Sequence, residues 1–187
     1  MNMAVSKKYT SEIRVATRRV ARVHFLYIFA LAIQLIIFDS GQLITPKMVM
    51  RRWFAIGGLT LVTTIVWYIA KNRSGQPSTF KKLIFGLILS DIAFASYYVY
   101  ISRGMASKAV LLYAIPILVA SVLERRSALL ATAVLCMTAY IATCISYFVV
   151  YFNEGYKLEL YGEIGFYCVI FIVLAAINWS FIRRKSS

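Results

Sequence analysis

Six apolar runs separated by short polar segments constrain what this chain can fold into more than any other feature. They lie at about 24–44, 53–70, 83–101, 109–123, 128–152 and 162–182. A helix crosses the hydrocarbon core of a bilayer with roughly 20 apolar residues. The fourth run, AVLLYAIPILVASVL, is short unless it borrows from 105–108. Lipid offers no water to an open strand edge, so such runs are read as helices. The expected fold is all-α: a polytopic membrane protein with six transmembrane helices in a bundle. Composition agrees, since 61% of the 187 residues are hydrophobic, where a soluble domain is nearer half. Gly57, Gly58 and Pro116 fall inside runs, where membrane helices tolerate them. Pro116 is expected to kink the fourth span.

The net charge of +14 would suit a nucleic-acid binder, but the cations sit between the apolar runs, where they act as topology signals. Lys7, Lys8, Arg14, Arg18, Arg19 and Arg22 precede the first run. Lys71, Arg73, Lys81 and Lys82 follow the second, and Arg125 and Arg126 follow the fourth. Arg183, Arg184 and Lys185 follow the sixth. The alternate loops carry only Lys47, Arg51, Arg52, Arg103, Lys108 and Lys157. The positive-inside rule therefore predicts both termini in the cytoplasm. Asp39, Glu154, Glu159 and Glu163 would lie outside, and Glu12 and Glu124 inside. The expected organisation is a basic juxtamembrane segment at 1–23, a six-helix transmembrane domain at 24–182 and a basic tail at 183–187. No cleaved signal peptide is read at the start. Arg14, Arg18 and Arg22 recur every four residues and would form one stripe on a helix. They are candidates for contact with anionic lipid at the cytoplasmic face.

Few polar groups lie within the runs. Asp91 stands near the middle of GLILSDIAFASYYVY, residues 86–100. A charged residue at the centre of a bilayer costs about 2.5–3.5 kcal/mol on the most lenient scale. Asp91 is therefore expected to face protein. Gly86, Ser90, Ala93 and Ser96 form a seam of small residues beside it, which would let helices approach closely. Candidate ligand- or proton-responsive residues are Asp91, Tyr98, Tyr113, Gln34 and Pro116. The bland alternative for Asp91 is a polar clamp between helices, and for Tyr113 and Tyr140 it is core packing. The hydroxyls of Ser90, Ser96, Thr132, Thr138, Thr143 and Ser146 can bond back to their own helices.

Catalytic patterns are absent. One histidine excludes metal sites built on several. There is no P-loop or GxSxG, and no plausible second acid lies within the membrane to pair with Asp91, since Asp39 and Glu163 stand at run ends. Cys136, Cys144 and Cys168 lie singly in apolar runs and read as small packed hydrophobes. The chain is not read as an enzyme, and no cofactor is implied.

The stretch from Asp91 to Ala142, DIAFASYYVYISRGMASKAVLLYAIPILVASVLERRSALLATAVLCMTAYIA, resembles the membrane-sensing half of six-span bacterial sensor histidine kinases, the group that includes the pilus-regulating kinases. The shared features are an acid in the third span, a short outer loop, here SRGMAS, and a leucine-opened fourth span. An arginine-containing inner turn, here ERRSALLATA, leads into the fifth. The family usually has a double glycine where this chain has Arg103-Gly104. Its dimerising helices, phosphorylated histidine and ATP-binding domain have no counterpart here. The resemblance implies a sensory or ligand-binding module of a bacterial cytoplasmic (inner) membrane that reports through helix movement. The alternatives are a substrate-capturing subunit of a transporter and a structural assembly protein. Expected partners are the lipid bilayer, anionic lipids, a second copy in a homodimer, and a cytoplasmic signalling or ATPase protein. Nucleic acid is not among them.

Overall fold

A computed structural model describes residues 3–72, 76–104, 107–151 and 157–182. Among these residues there is no strand. Helices α1 (Met3–Ser40), α2 (Pro46–Asn72) and α3 (Pro77–Ile101) come first. A 3-10 helix (Lys108–Tyr113) then leads straight into α4 (Ala114–Ser121), followed by α5 (Arg126–Tyr151) and α6 (Lys157–Phe181). Five of these helices are long and apolar enough to cross a membrane, the pattern of a multi-pass membrane protein. Their outward side chains agree. Leu158 is 87% exposed, Phe181 78% and Phe54 75%, a surface that water would oppose and lipid accepts. The basic tail at 183–187, Arg73 and Glu154 lie outside the described residues.

Contacts divide the chain into two compact units, Met1–Ser90 and Asp91–Ser187, with the division inside α3. The boundary expected at residue 23 falls in the middle of α1, which runs through it unbroken. At about 1.5 Å per residue this helix is about 57 Å long, nearly twice a hydrocarbon core of about 30 Å. The basic segment is therefore the first half of a helix whose second half is the first apolar run.

In the first unit, α1 and α2 pack along their lengths. The buried stripe of α2 is Val49, Arg52, Ile56, Leu59, Thr63, Val66 and Ala70, a helical three-and-four spacing. Both α2 and α3 start earlier than hydropathy implied, and for one reason. Each has proline as its first residue, where the missing N–H is harmless and the fixed φ suits a helix. The Thr45 carbonyl accepts from Met48 and Val49 N–H at 2.8 and 3.0 Å. Lys47, Arg51 and Arg52, expected in a loop, consequently lie in the first two turns of α2.

Helix α1 stops at Ser40 through its own backbone. Leu43 N–H donates to Phe38 O and Gln42 N–H to Asp39 O, both at 2.9 Å. This is the Schellman arrangement, which needs a left-handed residue after the helix. Gln42 takes that position with φ 50°, although Gly41 is its neighbour.

In the second unit, Arg103 and Gly104 both have left-handed backbones, φ 79° and 61°. At Gly104 an added Cβ would lie 2.6 Å from Cδ1 of Tyr147, so a close approach as well as a turn requires glycine there. Pro116 does not interrupt a helix interior. It is the third residue of α4, and the change from 3-10 to α winding occurs just before it. The first turn of a helix tolerates proline, which explains why the discontinuity takes this form.

Two substitutions test these turns by thermal unfolding in detergent. Gln42→Gly should stabilise the chain by up to about 1 kcal/mol by relieving the left-handed strain. Gly104→Ala should destabilise it by about 2 kcal/mol or more, since strain and overpacking against Tyr147 act together.

Candidate functional site

The site is built outward from Asp91, in the second unit. The carboxylate residue is 3% exposed, so the protein and not lipid surrounds it. Its helix buries Ile92, Phe94, Ala95, Tyr98 and Val99 on the same side, as the three-and-four spacing requires. From α5, Cys136 is within electrostatic reach of Asp91. Cys136 belongs to the buried stripe Leu129, Thr132, Ala133, Cys136, Tyr140, Cys144 and Phe148. Tyr98 is 5% exposed and stacks at a tilt on Phe94, with centroids 5.4 Å apart.

Five residues beyond Asp91, Ser96 links α3 to the short fourth segment. Its hydroxyl donates to Ile92 O at 2.8 Å and lies 2.7 Å from the Tyr113 hydroxyl. The single serine proton is used on its own helix, so Tyr113 donates to Ser96 Oγ. The Thr143 hydroxyl of α5 is also within hydrogen-bonding reach of Tyr113. The Tyr113 ring is fully buried. It meets Tyr140 edge-on at 5.8 Å and Phe171 at 5.7 Å. Tyr140 in turn contacts Tyr167 at 5.8 Å and Phe171 at 6.0 Å. One side chain thus touches α3, α5 and α6 from the end of the 3-10 helix. Such edge-to-face aromatic pairs contribute about 0.5–1.5 kcal/mol each beyond burial.

The other expected residues are distributed differently. Pro116 is buried one turn beyond Tyr113. Gln34 is exposed on α1, in the first unit. Gly86 and Ala93 are exposed as well, and a Cβ added at Gly86 would meet nothing within 4 Å. The small-residue seam is therefore open at Gly86 and Ala93, while its Ser96 end meets Tyr113.

The arginine stripe also separates on inspection. Arg14 donates from Nε to Ala70 O at 2.9 Å and from Nη2 to Lys71 O at 2.6 Å. These are among the last carbonyls of α2, which no intrahelical donor satisfies and whose partial negative charge favours a cation. Arg14 is thus committed to protein. Arg18 is half-buried and Arg22 exposed, so Arg22 is the member of the stripe open to a headgroup.

Sequence reasoning placed Ser96 and Thr143 as back-bonding hydroxyls and Cys136 as a packed hydrophobe, not as partners in this cluster, and missed Tyr167 and Phe171 altogether. The only available signal was the α5 periodicity, which aligns Cys136, Tyr140 and Cys144 at four-residue steps. Chemically the cluster offers one carboxyl, several hydroxyls and two thiols in a water-poor setting. Among the described residues no group of three or more His, Cys, Asp or Glu side chains could hold a metal ion.

The balance of forces at Tyr113 is open to a double-mutant cycle. Hydrogen bonds between membrane helices average about 0.6 kcal/mol, so Tyr113→Phe and Ser96→Ala should each cost about 1 kcal/mol or less. The cycle should show coupling of similar size. Tyr113→Ala should cost about 3–5 kcal/mol, because a large buried ring leaves a cavity. Equal losses for Phe and Ala would mean that the hydrogen bond, and not packing, holds the cluster.

Comparison with protein-family models, with curated proteins and with solved structures yields no match for this chain.

Proposed function

We propose that this chain is a sensory or ligand-binding membrane module that crosses the bilayer six times, with both ends in the cytoplasm. The observation that carries the sensory reading is Asp91, a carboxyl residue 3% exposed within an 18-residue stretch of α3 of mean hydropathy 1.6. Ionisable residues at such positions are costly and face a bundle interior or cavity, where they mark ion, proton or ligand responses.

The fourth crossing is the short one, and its winding supports it. Six 3-10 residues rise about 2.0 Å each and eight α residues about 1.5 Å each. Together they reach about 24 Å, approaching the thickness of a hydrocarbon core. The distribution of Lys and Arg supports the orientation. Resemblance to sensor kinases over Asp91–Ala142 supports a bacterial inner membrane and a signalling role.

In this reading a change in charge at Asp91, through a proton or a bound ligand, shifts the second half of α3. Ser96 passes the displacement to Tyr113. The Tyr113 ring presses on Tyr140 and Phe171, so α5 and α6 move with it. The 3-10 to α junction before Pro116 supplies the hinge, a role that short 3-10 stretches often have. Movement at the cytoplasmic end of α6 would be the output, read by a partner protein or a second copy.

Two experiments test this. Alkaline phosphatase fused after Gly41 or Gly104 should be active, and fused after Asn72 or Glu124 inactive; the reverse pattern overturns the orientation. In a chimera joining the full chain to a kinase output domain, Asp91→Asn should alter signalling at least several-fold. An unchanged response at unchanged expression removes Asp91 from the mechanism.

A further inference from the structure

A groove of about 840 Å³ runs along the first unit where α1 ends and α2 begins, lined among others by Asp39, Met50, Trp53, Phe54, Gly57 and Gly58. The two glycines shape it. A Cβ at either would meet nothing within 4 Å, so the groove exists because α2 presents bare backbone there. Its wall is apolar and aromatic, and its one acid stands at the end nearest the chain turn. Among the described residues no cation or donor is paired with the Asp39 side chain, although α2 begins with three cations. Arg52 is not in the lining; it is 6% exposed and lies over the Phe38 ring at 6.0 Å. Lys47 and Arg51 are exposed and head the same helical stripe as Phe54 and Gly58, at steps of four, three and four.

The groove is thus an apolar trough with one acid in its lining, and two exposed cations stand on the neighbouring stripe of α2. An amine would meet Asp39 and be repelled by Lys47 and Arg51. A purely anionic headgroup would meet the cations and be repelled by Asp39. A headgroup carrying both an ammonium and a phosphate satisfies both the acid and the cations. We propose that this groove binds an amine-headed phospholipid of the phosphatidylethanolamine type. Its ammonium donates to Asp39, its phosphate lies by Lys47, Arg51 and the N-terminus of α2, and one acyl chain lies along Trp53, Phe54, Gly57 and Gly58. Anions are favoured at helix N-termini by the unpaired N–H groups and the helix dipole. A primary ammonium has N–H donors for the carboxylate, which trimethylated choline lacks, so the site distinguishes the two.

The proposal rests on the membrane reading of the chain and is independent of Asp91. The test is native mass spectrometry of the full chain in mild detergent, titrated separately with phosphatidylethanolamine, phosphatidylcholine and phosphatidylglycerol. The expected result is retention of phosphatidylethanolamine about tenfold above the other two. Asp39→Asn should lower it to the phosphatidylcholine level, while Glu159→Gln leaves it unchanged. Gly58→Phe, whose Cβ would meet nothing within 4 Å and whose ring would fill the trough, should lower retention of phosphatidylethanolamine with no change in thermal stability. Equal retention of the three lipids, or a preference that survives Asp39→Asn, overturns the proposal. Gly58→Cys forming a disulfide-linked dimer in membranes also overturns it, since a second copy would then occupy the groove. A chain that purifies in water without detergent would instead refute the membrane reading itself.

Discussion

A bilayer core contains no water with which to satisfy a polar group, and each part of this structure answers to that constraint. Backbone groups are satisfied by making every long apolar segment a helix. Buried threonine hydroxyls are satisfied locally: Thr17, Thr63 and Thr132 donate to the carbonyl four residues back at 2.8–2.9 Å. Asn178 does the same through its amide, to Leu174 O at 2.8 Å. These groups spend their donors within one helix and leave the packing surface apolar.

Other side chains reach between elements and join them. Arg14 ties α1 to the end of α2 by bonding carbonyls that the helix itself cannot satisfy. Tyr113 plays the corresponding part in the second unit, with its hydroxyl on Ser96 and its ring against Tyr140 and Phe171. Lipid is as apolar as leucine, so hydrophobic burial does not drive helices together in a membrane. Shape and a few polar contacts must do it. That is why a fully buried ring touching three helices matters more here than a similar ring in a soluble core.

The helices themselves were legible from sequence because they depend on local properties. Hydropathy located the long apolar segments, and the start signals Thr45-Pro46 and Pro77 account for the ends it missed. The burial of Asp91 was legible too, from the cost of placing a carboxyl in hydrocarbon. What could not be read was which face of each helix turns inward. In a soluble protein polar residues mark the outside, but in lipid both faces are apolar. Gly86 and Ala93 looked like a contact seam and are exposed; Gln34 looked like an inward polar group and is exposed. Ser96 looked like one more back-bonding hydroxyl, and it is also the acceptor for Tyr113.

By itself, then, the sequence determined an all-helical chain with membrane-length apolar segments and an acid that must be sheltered, because chain length, hydropathy and desolvation act residue by residue. Tertiary structure alone decided that Tyr113 joins three helices, that Arg14 closes α2, and that Asp39 stands at the head of a trough floored by Gly57 and Gly58. Those outcomes depend on which surfaces fit together, and fit is a property of volumes brought together from distant parts of the chain.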